Sequence, residues 1–238
     1  MNPNKALWEK GDFTRIAETM RESGAELVAK IGVTEGLNVL DLGGGDGTTA
    51  IPAAKLGANV LVVDIASNLV EAGNIRVKNE GLSNCRFQEG DATDLHELED
   101  GRFDLVISIF GAMFAPKPFD VAKEMVRVTR RGGRIVMGNW IPGDPTLVAQ
   151  ILRISSAYTP PPPEGFISPM TWGIESNVIE RFTKVPEGMR YEVTVEDPNV
   201  WVAPWVMPAR ILPGRPELEK VDEFVCEKTP DYSKFFAK

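Results

Sequence analysis

Three alternating glycines behind a carboxylate carry the densest chemical information in this chain. Gly43, Gly45 and Gly47 follow Asp41 in the run Asp41-Leu42-Gly43-Gly44-Gly45-Asp46-Gly47, entered from the apolar pair Val39-Leu40. Glycine lets a backbone turn tightly and approach a ligand where a Cβ would clash. A helix opening at Thr48 would add unpaired N–H groups and a positive dipole end. The turn suits a nucleotide-like cofactor; the plainer reading is a tight strand–helix turn of any α/β protein. A dinucleotide fingerprint needs G-x-G-x-x-G, whose third glycine would fall on Thr48. The spacing here is acidic-x-G-x-G-x-G. A carboxylate at Asp41 repels a pyrophosphate and suits an ammonium, which S-adenosylmethionine (SAM) carries without any phosphate.

Two further carboxylates fit a nucleoside. Asp64 closes the β-branched run Val60-Leu61-Val62-Val63, roughly 20 residues past the glycines, where an acid can accept both ribose hydroxyls. Its other role would be a helix N-cap, although Ser67 is the better cap for the helix that follows. Asp91, after Cys85-Arg86-Phe87-Gln88, is placed to accept from an adenine amino group. His96, the single histidine, lies in Asp94-Leu95-His96-Glu97-Leu98 and reads as a surface-helix residue rather than a base. No general base is assigned.

The elements that position these groups follow from hydrophobic periodicity. Short apolar runs at 60–63, 85–88, 103–109 and 133–140 join Val39-Leu40 as strands, with a helix over about 118–130. Ligands of open parallel sheets lie beyond the carboxyl ends of the strands. The glycine turn, Asp64, Asp91 and Phe110 all fall there. Residues 4–30 read as one or two helices, with Ile16, Met20, Leu27 and Val28 at helical spacing. They either cover the cofactor mouth as a lid or pack plainly against the sheet. A helix over 145–158 is ended by Pro160 to Pro163, a stiff extended connection. Tyr191-Glu192-Val193-Thr194-Val195 alternates as a sixth strand would. Beyond it, Pro198, Pro204, Pro208, Pro213 and Pro216 disfavour a long central strand.

In order and separation, five segments resemble the class I SAM-dependent methyltransferases: VLDLGGGDG (39–47), VVDIASNLVEAG (62–73), EGDATDL (89–95), FDLVISIFGAMFAPKP (103–118) and VRVTRRGGRIVMGNW (126–140). The chain looks most like bacterial enzymes of the quinone-pathway (UbiE/MenG-type, methyltransferase type 11) subgroup. The later Pro160-Pro161-Pro162-Pro163, Ser168-Pro169 and Trp172-Gly173, and the opening Trp8-Glu9-Lys10-Gly11-Asp12-Phe13, also fit that subgroup. The resemblance covers roughly 8–182. It implies a Rossmann-like, doubly wound α/β fold with a mostly parallel seven-stranded sheet and helices on both faces. It assigns Asp41, Gly43 and Gly45 to the methionine end of SAM and Asp64 to the ribose. Ile65 would pack on adenine, Asp91 and Ala92 would reach its edge, and Ile109 would line the cofactor. The family often has Cys where Gly44 stands. After about 183, where the family leads one to expect a helical segment and a final strand pair, the sequence turns proline-rich.

Composition narrows the rest. A length of 238 residues suffices for one domain with a sizeable core. Within it, 1–35 would be a helical cap, 36–142 the SAM-binding core and 143–238 the acceptor-side and C-terminal segment. No apolar run reaches the ~18–20 residues of a membrane span. The N-terminus lacks a signal-peptide pattern, and two cysteines make no disulfide framework. The expected location is cytoplasmic. A net charge of −8 argues against a nucleic-acid acceptor, which calls for a basic stripe. The cluster Arg127, Arg130, Arg131 and Arg134 reads instead as a solvated helix end.

Phe110, Met113, Phe114, Trp140, Phe166 and Trp172 would lie near the strand ends and suit a small apolar or aromatic acceptor. Trp201 and Trp205 would cover that pocket or form an exposed patch for a homodimer. The expected activity is methyl transfer from SAM to a small molecule, leaving S-adenosylhomocysteine. The alternatives are a SAM-binding protein of this fold with little catalysis and, disfavoured by the glycine spacing, an NAD(P)-dependent oxidoreductase. No metal motif is present.

Overall fold

The computed structural model describes residues 4–143, 147–158, 161–162 and 164–184. They fall into two compact units. The smaller is represented by helix α7 (Leu147–Ser156). The larger holds every other element.

Its frame is a five-stranded, wholly parallel sheet in the order β3-β2-β1-β4-β5. The strands are β1 (Asn38–Leu42), β2 (Asn59–Asp64), β3 (Cys85–Glu89), β4 (Phe103–Ile109) and β5 (Thr129–Gly138). β1, β2 and β4 are buried along nearly their whole length, as apolar parallel strands covered on both faces must be. One layer of core gathers Leu40, Leu42, Val106, Val121, Met125 and Trp172; the other gathers Val28, Val39, Ile51, Val62, Phe87 and Ile107. Strand order reverses at β1, so a crevice opens between the carboxyl ends of β1 and β4. The doubly wound, Rossmann-like expectation holds for these five strands. The expected sixth strand at 191–195, the proline-rich tail and Trp201 and Trp205 lie outside the described residues.

The helices are α1 (Lys5–Trp8), α2 (Phe13–Glu18), α3 (Arg21–Ile31), α4 (Ala50–Lys55), α5 (Ser67–Asn79), α6 (Pro118–Val128) and α8 (Glu175–Thr183), with 3₁₀ turns at Ala112–Phe114 and Pro169–Gly173. α6 starts on Pro118, whose missing N–H costs nothing at a first turn, and buries Val121, Ala122, Met125 and Val126 at helical spacing.

Four local expectations are corrected. α4 opens at Ala50 rather than Thr48, because the glycine turn continues through Thr49. Ser67 does not cap α5. The Asp64 carboxylate takes the Ala66 N–H at 2.9 Å instead, and Ser67 becomes the first helical residue. His96 sits in an exposed turn, not a helix, with Nδ1 3.0 Å from Asp94 Oδ1. Arg127 is no free helix end: it binds Glu124 and Asp100 and donates to the Leu95 and Leu98 carbonyls at 2.8 Å. It staples the 95–100 loop to α6, and Arg130 pairs with Asp104. Among the described residues no helix is long and apolar enough to cross a membrane.

Candidate functional site

The site forms where β1, β2 and β4 release the chain. Gly43 (φ 70°), Gly45 (φ 57°) and Gly47 (φ 95°) all take the left-handed conformation that a side chain resists. A Cβ on Gly43 would lie 2.7 Å from Gly111 Cα, and one on Gly111 would strike the Gly43 carbonyl. The turn after β1 and the loop after β4 therefore touch backbone to backbone. Ser108 ties them further: its Oγ donates to the Leu42 carbonyl at 2.7 Å and accepts the Ala112 N–H at 2.9 Å.

Two acids are buried in this crevice. Asp64, 8% exposed, spends its carboxylate on the Gly45 N–H (2.8 Å) and the Ala66 N–H, joining the end of β2 to the glycine turn. Asp41, 1% exposed, lies beneath Gly44 and accepts from the Thr49 hydroxyl, while its Oδ1 has no partner. Burial drives the Asp41 carboxyl up to about 7, the Thr49 bond opposes this, and the nearby Asp64 charge adds to it. Asp64 is raised for the same first reason. Two under-neutralised acids beside a glycine turn favour a ligand with a positive charge and hydroxyl donors and repel one with phosphates. SAM fits that chemistry.

Asp46 plays a part that the spacing alone does not reveal. Buried to 1%, it receives both Nη atoms of Arg21 and lies 3.7 Å from Arg76 Nη1, fixing the turn to α3 and α5. The signal was an acid inside the glycine run with arginines on two helices. Asp91 is turned inward on its own loop, its Oδ1 accepting the Thr93 N–H and hydroxyl at 2.9 Å. Ile65, Ala92 and Ile109 are half-buried around the same strand ends.

The N-terminal helices bridge these loops. Asn4 Nδ2 donates to the Phe114 carbonyl at 2.6 Å, Lys5 pairs with Glu89, and Glu9 accepts from the Ser67 N–H and hydroxyl. Trp8 meets Phe114 edge-on at 5.0 Å and Phe13 at 5.8 Å. A Cβ built on Gly45 would meet only Phe13. Three strand-end loops are thus spanned by one short strap.

On the acceptor side, Phe110 and Trp140 stack at 4.1 Å, with Phe110 held at φ 55°. Such backbone strain in a non-glycine residue persists where the surroundings enforce it. Phe114 is half-buried beside Trp8, whereas Met113 and Trp172 lie within the core and Phe166 is exposed. Gly173 abuts the Trp140 carbonyl so closely that a Cβ would not fit. The aromatic set is therefore a stacked pair backed by buried side chains, not one continuous lining.

Comparison with known proteins agrees with this arrangement. Residues 40–137 match the family model described as "Methyltransferase domain". An uncharacterized protein of Mycobacterium tuberculosis is 40% identical over 138 residues, 58% of this chain and 50% of that protein. A demethylmenaquinone methyltransferase of Clavibacter sepedonicus is 36% identical over 102 residues, covering 43% of this chain and 40% of that protein. The chain spans about half the length of the curated relatives it matches. A crystal structure of a SAM-dependent methyltransferase from Aquifex aeolicus aligns with TM-score 0.54 at 20% identity, over 72% of this chain and 88% of that one, a likeness of fold.

Proposed function

We propose that this chain, whose residues 40–137 match a methyltransferase domain, is a class I SAM-dependent methyltransferase that moves a methyl group from SAM by in-line displacement to a small apolar or aromatic molecule. The observation that carries the reading is the pair of buried acids, Asp41 and Asp64, set against a glycine turn, where their charge would repel a pyrophosphate. When bound, SAM supplies a methyl carbon already activated by its sulfonium leaving group.

The chain then has to orient, enclose and exclude water. Asp64 would accept from the ribose hydroxyls, exchanging the Gly45 N–H for them. Asp41, Gly43 and Gly45 would face the methionine end, the Asp41 charge favouring its ammonium from beneath the turn. Ile65 would pack on adenine, with Asp91 and Ala92 at its edge and Ile109 alongside. The stacked pair Phe110 and Trp140, with Phe114, would present the acceptor, while Met113 and Trp172 brace them from the core. Holding nucleophile and methyl carbon in line is worth several kcal/mol of the barrier, about 7 or more for well-aligned pairs. The strap of α1 and α2 would keep the crevice dry. His96, exposed and paired with Asp94, takes no part.

The test is transfer of label from methyl-tritiated SAM to a panel of phenols, quinols, thiols and amines. Labelled product, with turnover reduced by Phe110→Ala, supports the reading. SAM binding without transfer to any member would support instead a binding protein of this fold.

A further inference from the structure

Among the described residues, α8 holds a buried cation without a counter-ion. Arg181 on α8 is 4% exposed, the one arginine among the described residues buried so fully. Its Nη2 donates to Thr171 Oγ1 at 2.6 Å, and its guanidinium lies 4.3 Å from the centroid of the Trp172 ring. Its Nη1 has no acceptor, and neither does the buried Trp172 Nε1. Among the described residues no carboxylate lies within ion-pair distance of Arg181. Glu180, its sequence neighbour, is engaged by Lys184.

That arrangement is costly. A buried charge is expensive unless it is paired and hydrogen-bonded, and the ring face of Trp172 returns only part of the loss. The other arginines near the site are satisfied: Arg21 and Arg76 surround Asp46, and Arg127 binds Glu124 and Asp100. The position of Arg181 is telling. Trp172 shares a core layer with Ala112 and Met113, Phe110 and Trp140 pack against that layer, and Gly173 touches the Trp140 carbonyl. The two unpaired donors thus belong to Trp172, in the core layer on which the aromatic pair packs, and to the guanidinium stacked on its ring.

We propose that Arg181 and Trp172 Nε1 form an anion-binding subsite of the acceptor pocket, so that the methyl acceptor is a small aromatic or apolar molecule bearing a carboxylate. This rests on the methyltransferase reading above. One guanidinium nitrogen and one indole nitrogen offer two donor atoms, which matches the two oxygens of a carboxylate. A phosphate dianion would need more. Charge-assisted bonds of this kind are about twice as strong as neutral ones.

The experiment is calorimetric titration of the full chain, saturated with S-adenosylhomocysteine, with phenylacetate, with its methyl ester and with inorganic phosphate. The acid should bind about tenfold or more tightly than the ester, as a charge-assisted hydrogen bond allows. Arg181→Met should abolish that preference and leave affinity for S-adenosylhomocysteine unchanged. Trp172→Phe, which removes the indole donor and keeps a smaller aromatic ring beneath the guanidinium, should reduce the preference and stands in if the arginine variant does not fold. Equal affinity of wild type for acid and ester, no measurable binding of the acid, or a preference that survives Arg181→Met would overturn the proposal. Tighter binding of phosphate than of phenylacetate would overturn the carboxylate assignment. Failure of the protein to bind S-adenosylhomocysteine would count against the methyltransferase reading alone, since titration of the free protein with the acid and ester still reads the subsite.

Discussion

The two halves of the crevice solve the problem of buried charge differently. Around the glycine turn, Asp46 is gripped by two guanidinium groups and Asp64 by two backbone amides, so the loops are fixed before any ligand arrives. At Trp172, in the core layer on which Phe110 and Trp140 pack, and at Arg181, donors are left unpaired. A ligand that must be recognised by shape calls for a cradle already built, and binding is tighter when ordering costs have been met in advance. Unpaired buried donors, in contrast, discriminate between ligands, because the wrong ligand leaves them unmet. On the proposed reading, the donor half is organised for affinity and the acceptor half for choice.

Asp41 is the exception on the donor side, and it offers the largest test of the contrast. Its carboxyl stands at about 7 in the fold against 3.8 for the unperturbed group. A folded value above the unfolded one means that the native state holds the proton more tightly. The resulting stabilisation is fully present below about pH 4 and is lost as pH rises to about 7, some 4 kcal/mol at ~1.4 kcal/mol per unit. Denaturant unfolding of the free protein should therefore show stability falling across that window. Asp41→Asn should remove most of the slope while weakening SAM. A slope unchanged in the variant would place the acid strain elsewhere.

Next in size is the backbone contact across the crevice. Gly111→Ala, whose new Cβ would strike the Gly43 carbonyl, should cost about 3 kcal/mol by overpacking and should weaken SAM binding. Gly165→Ala meets nothing within 4 Å but has φ 78°, so only the left-handed backbone penalises it, by about 1 kcal/mol. Gly111 itself has φ −100°, so an effect no larger than that of Gly165→Ala would mean that the contact with Gly43 yields to a Cβ. Asp46→Ala should cost about 2 kcal/mol in the same unfolding assay. That is below the range for a wholly buried pair, because Arg21 and Arg76 are each about a quarter exposed. The smallest expected effect belongs to the strap. Trp8→Ala removes two edge-on ring contacts, about 1 kcal/mol, and should speed SAM release in stopped-flow more than it lowers stability.

The same contrast marks how much of the molecule was legible in the sequence. The five strands, and the gathering of Asp41, Gly43, Gly45 and Asp64 at their carboxyl ends, were readable because short-range signals specify them: β-branched runs and glycines within a few positions of one another. Helix starts were less so. Ser67 has the chemistry of a cap, yet the cap position falls on Ala66, whose N–H the Asp64 carboxylate takes from two residues earlier, a competition that only geometry decides. The Asp46 clamp and the Ser108 relay join residues 21, 46 and 76, and 42, 108 and 112, which no local pattern links. Arg181 is further still from notice, since on α8 it reads as an ordinary helix-end cation until burial is known. Acceptor-side residues come from distant segments whose meeting is set by packing, so composition suggested aromatic character there and no arrangement.

One titration reaches the centre of all this. Full-length protein and Asp64→Ala would each be titrated calorimetrically with SAM, S-adenosylhomocysteine and NADH. The expected result is binding of both SAM forms and not NADH, weakened about 10- to 100-fold in the variant, as loss of hydrogen bonds to a charged group allows. Binding of NADH, or no heat with either SAM form, would contradict the assignment of the crevice to a methyl donor.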